Sequence, residues 1–167
     1  IDSMEGMIDK VSTNPEETDQ NCNLMMPYFE QFENKVLDGS GFFETMSNLV
    51  KIKDLDIATR KKVFRNASGK GVYILVAVSD EEGDKEQIVS TVKLFVEPKF
   101  FYGGRSTGHI EDVATREGFE GNGLAKALLG RAIEIAKKDK RYKIILDCRE
   151  CLVPFYEKSG FKNHDIC

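Results

Sequence analysis

The spacing of apolar residues changes character twice along this chain. Val72-Tyr-Ile-Leu-Val-Ala-Val78 and Ile88-Val-Ser-Thr-Val-Lys-Leu-Phe-Val96 are near-continuous runs of branched and aromatic residues, with the polar stretch from Ser79 to Gln87 between them. Such side chains suit a pleated, half-buried surface, and the interval holds a turn glycine, Gly83, so the pair predicts a β-hairpin. After Gly103 and Gly104, the segment His109-Ile-Glu-Asp-Val-Ala-Thr115 predicts a third strand. From Leu124 the period becomes helical. Leu124, Leu128, Ala132, Ile135 and Ala136 share one face while Lys126, Arg131 and Glu134 lie elsewhere, which predicts a helix over 124–138. A strand over 143–148 then closes a strand, helix, strand unit, and Pro154 opens a short last helix that runs through Lys158 and ends at Gly160. Upstream, Phe29, Phe32 and Val36, and later Leu55, Ile57, Val63 and Phe64, fit amphipathic helices that turn a stripe toward the core. The sum is an α/β (α+β) domain with a hairpin leading and one crossover behind it.

Composition bounds the function without choosing it. With 167 residues, 41% of them hydrophobic, the chain predicts one domain over 21–167. Residues 1–20, with Asp2, Glu5, Asp9, Glu16, Glu17 and Asp19 against Lys10, read as an acidic, weakly ordered lead-in. A net charge of -4 argues against nucleic acid as the main partner, so an anionic ligand would need a local basic pocket. No apolar run approaches the ~18 residues of a membrane span, and the N-terminal residues do not resemble a signal peptide. The expectation is a cytoplasmic protein with no membrane partner. Four cysteines, at 22, 148, 151 and 167, make no disulfide framework. Cys148-Arg-Glu-Cys151 has the spacing of a redox pair, but too little chain follows it for a thioredoxin-like fold. With no second cysteine pair to complete a zinc site, no metal is expected.

The chemistry concentrates in the turn Glu120-Gly-Asn-Gly-Leu-Ala-Lys126, which joins the third strand to the long helix. Its glycines let the backbone approach an anion, and the helix start offers unpaired N–H groups at the positive end of its dipole. A Walker loop is excluded because Lys126 lies between Ala125 and Ala127, with no following hydroxyl for a magnesium ion. A dinucleotide fingerprint fails too, since Gly118-Phe-Glu-Gly-Asn-Gly123 has its glycines in the wrong order and no βαβ series surrounds it.

Together with the later Phe155-Tyr-Glu-Lys-Ser-Gly-Phe161, the turn resembles the GNAT superfamily of N-acetyltransferases, whose pyrophosphate loop runs Gln/Arg-x-x-Gly-x-Gly/Ala. Gly108-His-Ile-Glu-Asp-Val-Ala114, Tyr142-Lys-Ile-Ile-Leu-Asp-Cys148 and Val96-Glu-Pro-Lys-Phe-Phe-Tyr102 narrow the resemblance to the glucosamine-6-phosphate N-acetyltransferases, over roughly residues 72–163. It implies an acetyltransferase fold, a mixed and mostly antiparallel sheet flanked by helices, in which a splayed strand pair holds CoA. It also implies acetyl-CoA as cosubstrate, D-glucosamine 6-phosphate as acceptor and a homodimer.

The roles carried by the resemblance are these. The backbone of Gly121, Asn122, Gly123, Leu124, Ala125 and Lys126 holds the pyrophosphate, Val113, Ala114 and Thr115 pair with the pantetheine arm, and Tyr156 lies beside the sulfur. Glu111, Asp147 and Tyr156 are the catalytic candidates: an acceptor for the ammonium proton, a partner for the amine, and a donor to the leaving thiolate. Lys99, Phe100, Phe101, Tyr102, Glu111, Asp112, Tyr142, Lys143 and Asp147 line the sugar phosphate. Adjacent residues of a regular strand point to opposite faces, so Glu111 and Asp112 reach one pocket only if a bulge intervenes. His109 reads as structural. Two departures stand out: Glu120 puts an acid where the family has Gln or Arg, and Leu152 replaces a frequent Asn.

Overall fold

The computed structural model describes residues 41–49, 55–67, 71–79 and 87–164. The expected acidic lead-in and the helix around Phe29, Phe32 and Val36 lie outside them. Within them, two helices, α1 (Phe42–Met46) and α2 (Ile57–Ala67), precede strands β1 (Val72–Ser79), β2 (Gln87–Glu97) and β3 (Thr107–Thr115). Helix α3 (Leu124–Lys138), strand β4 (Lys143–Ile145) and helix α4 (Val153–Glu157) follow. The strands form one sheet in the order β1-β2-β3-β4, antiparallel until the last pair, which is parallel. The parallel step is forced by the crossover through α3.

The sheet has a core on each face. Leu75, Val92, Leu94 and Ile110 meet Leu124, Leu128, Leu129, Ala132 and Ala136 of α3 on one side. On the other, Val76 and Ile88 pack with Phe64 of α2, and Phe42 and Phe43 of α1 close over them. The two faces explain why the strands read as near-continuous apolar runs, since alternate residues enter different cores.

Helix α3 begins and ends where the sequence marks it. Gly123 caps the start at φ +78°, a conformation in which Cβ is costly. At the other end Lys140 takes φ +52°, while Arg141 N–H donates to Ala136 C=O at 3.0 Å and Lys140 N–H to Lys137 C=O at 3.0 Å. That pair of bonds is a Schellman stop. Asp139 then takes Arg141 at 2.5 Å and the Tyr73 hydroxyl at 3.3 Å, tying the helix end to β1.

One expectation is corrected. Residues 143–148 were expected to form a strand, but β4 spans Lys143–Ile145 alone. Its register with β3 covers Thr107↔Lys143, Gly108↔Ile144 and His109↔Ile145, after which β3 continues to Thr115 without it. Strand-forming residues stay extended but unpaired where the partner edge leaves them.

Candidate active site

Beyond its pairing with β4, β3 is irregular. Between the pairs Lys93↔Glu111 and Thr91↔Ala114, two β3 residues, Asp112 and Val113, face one β2 residue, Val92. This is a β-bulge, and Asp112 takes up the extra residue at φ +52°. Its carboxylate lies 2.5 Å from Lys93 Nζ, an ion pair across the bulge. Glu111 is exposed, Asp112 and Val113 are half-buried, and Ala114 is buried. Beyond the bulge, Ser90 Oγ donates to Ala114 C=O at 2.8 Å and Asn48 Nδ2 to Thr115 C=O at 2.7 Å. Among the described residues β4 pairs with β3 only as far as His109, so no strand covers that edge of β3 from the bulge to the glycine turn.

In that turn Gly118, Gly121 and Gly123 all have φ near +80°, and a Cβ added at any of them would meet nothing within 4 Å. The glycines answer to backbone conformation, and the space above them is clear. Gly121, Asn122, Gly123 and Lys126 are exposed, while Leu124 is buried beneath them and Ala125 is half-buried. Glu120 folds its carboxylate back to accept the Gly118 N–H at 2.9 Å. The segment is anchored by Arg116, which donates to the Gln87 side chain and, at 3.0 Å, to Ile88 C=O.

Tyr156 of α4 is 8% exposed and sits in the α3-side core between the rings of Phe155 and Phe161. Burial pushes its phenol above the usual range, and the charge of nearby Cys148 adds to the rise. It is therefore protonated throughout neutral pH. Asp147 and Cys148 are exposed on the unpaired segment after β4. Leu146, just before them, packs on the same α3-side core as Val113 and Tyr156.

Several of the expected substrate residues come together at the other end of β3. Tyr102, itself at φ +55°, stacks on Tyr142, Lys143 Nζ lies 5.9 Å from the Tyr142 ring, and Arg105 Nε donates to Tyr102 C=O at 3.2 Å. Lys99 is instead held 2.5 Å from Glu97, which also binds His109 Nε2 at 2.9 Å. These two hydrogen bonds keep the Glu97 carboxyl below the usual range. Phe100 and Phe101 project into solvent, and Lys158 is exposed beyond α4.

Sequence reasoning passed over Lys93 and Arg116. Lys93 had left a signal, a lone charge inside the apolar run Ile88–Val96.

A sheet opened at a bulge, followed by a glycine turn at a helix start, defines an N-acetyltransferase scaffold. Residues 42–161 match the acetyltransferase (GNAT) family, and the chain belongs to it. Over 157 residues, 90% of this chain and 92% of the relative, it is 31% identical to a probable glucosamine 6-phosphate N-acetyltransferase 2 of Oryza sativa subsp. japonica. A glucosamine 6-phosphate N-acetyltransferase of Trypanosoma brucei brucei is 47% identical over 79 residues, a match spanning 47% of this chain and 54% of that protein. The crystal structure of glucosamine-6-phosphate N-acetyltransferase from Arabidopsis thaliana superposes with a TM-score of 0.70 at 29% identity, covering 77% of this chain and 86% of that one.

Proposed function

We propose that this enzyme transfers the acetyl group of acetyl-CoA to the amine of D-glucosamine 6-phosphate. The products are CoA and N-acetyl-D-glucosamine 6-phosphate, a precursor of UDP-N-acetylglucosamine. The observation that carries the choice of acceptor is the grouping of Lys143 over the Tyr142 ring and Arg105 on the Tyr102 backbone carbonyl, two cations beside one tyrosine stack in a chain of net charge -4. A sugar phosphate needs such a local basic pocket, and the names of the relatives point the same way.

In this reading the N–H groups from Gly121 to Lys126 hold the pyrophosphate at the start of α3. The open edge of β3 at Val113, Ala114 and Thr115 pairs with the pantetheine arm, and the Val113 N–H donates to the thioester oxygen as it gains charge. Glu111 accepts the ammonium proton, directly or through water, and Asp147 orients the amine. The amine then attacks directly, with no covalent enzyme intermediate, and Tyr156 donates its proton to the departing thiolate. The chain exposes the aromatics Phe95, Phe100, Phe101 and Tyr142, and Ile145, and burial of such side chains against a second copy of the chain would favour a homodimer. Free, exposed Cys148 and Cys151 favour a reducing compartment, the cytoplasm.

The test is acetyl-CoA consumption with glucosamine 6-phosphate, with glucosamine and with a peptide amine. Preference for the phosphorylated sugar is the expected outcome. Equal turnover of all three, or a preference for the peptide, overturns the choice of acceptor, and acetyl-CoA binding without turnover on any amine overturns the reaction.

A further inference from the structure

Between α1, α2 and the sheet lies a cavity of about 140 Å³ whose walls are apolar and whose floor is charged. Phe42, Phe43 and Met46 of α1, Val63 and Phe64 of α2 and Ile74 of β1 make the walls, while Thr91, Lys93 and Asp112 reach it from β2 and β3. Lys93 and Asp112 bring the bulge of β3 to this cavity, and Glu111 and Val113, which the proposed reaction sets against the amine and the thioester, flank Asp112 in the chain. Lys93 has two acids as neighbours. Its ammonium is 2.5 Å from Asp112, and its cross-strand partner is Glu111. Among the described residues, the lining that α1, α2 and β1 give this cavity is uncharged, and Arg60 lies over the Phe43 ring, 4.8 Å from its centroid. Water reaches these groups, the Lys93 side chain being 25% and that of Asp112 38% exposed, so their charges act on a bound amine through partly screened interactions.

The count of charges then decides the state of a bound amine. An amine attacks a thioester only when neutral, and each nearby carboxylate stabilises its ammonium form, by about one to three pK units at close range. Two unpaired acids at the bulge would hold the proton on the substrate. We propose that Lys93 is a positioning residue which engages Asp112, fixes the left-handed bulge and leaves Glu111 as the acid facing the bound amine, so that the amine gives up its proton near neutral pH. The inference rests on the acetyl-transfer reading above.

The pH dependence of kcat, with both substrates saturating, reads the ionisation of the bound complex. Lys93→Met leaves two uncompensated acids, so the acid limb moves to higher pH by about one unit while the acceptor KM stays level or falls. Asp112→Asn tolerates the left-handed conformation and frees the lysine charge, so its limb moves the opposite way. Lys93→Arg keeps the parent profile, and the double variant Lys93→Met with Asp112→Asn returns close to it. Should Lys93→Met fail to fold, the downward shift in Asp112→Asn carries the test. A structural role alone predicts lower rates at every pH with the limb in place, and that result in either folded variant overturns the inference. Turnover in the parent with an unmoved limb sinks this inference only. A parent that binds acetyl-CoA but acetylates no amine overturns the reaction and this inference with it.

Discussion

Tyr102 and Tyr142 stack nearly parallel, with ring centroids 3.8 Å apart and planes 12° apart, joining the loop after β2 to the residue just before β4. Tyr102 holds φ +55°, an uncommon conformation for a bulky residue, so the stack offsets backbone strain. Replacing either tyrosine by Ala should lower stability, and a double-mutant cycle in urea should show a coupling of about 0.5–1.5 kcal/mol. The same changes should raise the KM for glucosamine 6-phosphate about tenfold, a loss of about 1.4 kcal/mol, and leave the acetyl-CoA KM unchanged. A KM that rises for both substrates would show that the stack merely holds the fold.

Glu120 is the one acid in the glycine turn itself, and its carboxylate is committed to the Gly118 N–H at 2.9 Å. Glu120→Gln keeps an acceptor for that N–H and removes a negative charge from beside the proposed pyrophosphate site. Acetyl-CoA should bind about two- to fivefold more tightly in low salt, and the gain should shrink as salt is added. Calorimetry at two ionic strengths measures both. An affinity that does not change in low salt would place the pyrophosphate elsewhere.

Much of this architecture was legible in the chain because local and tertiary demands agree there. Helix α3 carries a helical period between Gly123 and the Lys140 stop, and it spans the residues expected of it. The hairpin strands lie within a residue of their expected limits because both faces are covered and the apolar runs are unbroken. What escaped depends on a partner's geometry. Alternation along β3 carries no mark of the extra residue that Asp112 accommodates, and the Leu146 to Cys148 segment looks like strand until the neighbouring edge departs. The site divides in the same way. The turn and Tyr156 announce themselves as motifs, whereas Lys93 acquires a role only when the bulge places Asp112 2.5 Å from it.

The glycines of this chain should respond to alanine in opposite senses. At Gly121 and Gly123 the surrounding space is open, so the cost of Ala is backbone strain at φ +78°, about 1–2 kcal/mol of stability. Acetyl-CoA affinity should fall further than that strain accounts for, because the proposed N–H donors are displaced. Gly130 lies in the middle of α3 with nothing within 4 Å of an added Cβ. Gly130→Ala should stabilise the protein by about 0.5–1 kcal/mol and leave turnover unchanged. Thermal melts with and without acetyl-CoA separate the two classes.

Tyr156 joins the proposed chemistry to a measurable pH effect. Its phenol is raised by burial first and by Cys148 second, so the folded protein holds this proton more tightly than the unfolded chain does. The stability this confers is complete below the unfolded value of about 10 and is lost as pH climbs through the higher folded value. Tyr73 is raised for a similar reason, burial first and the Asp139 charge second, and contributes to the same decline. Stability toward urea should therefore fall above about pH 10 in the parent and fall less steeply in Tyr156→Phe. That variant keeps the ring in its aromatic cluster and removes the proton. Its kcat should fall by about 10²-fold or more while the acetyl-CoA dissociation constant moves little, as expected for a donor that acts in the transition state. An unchanged kcat would take the acid role from Tyr156 and leave it as a core aromatic beside the cofactor.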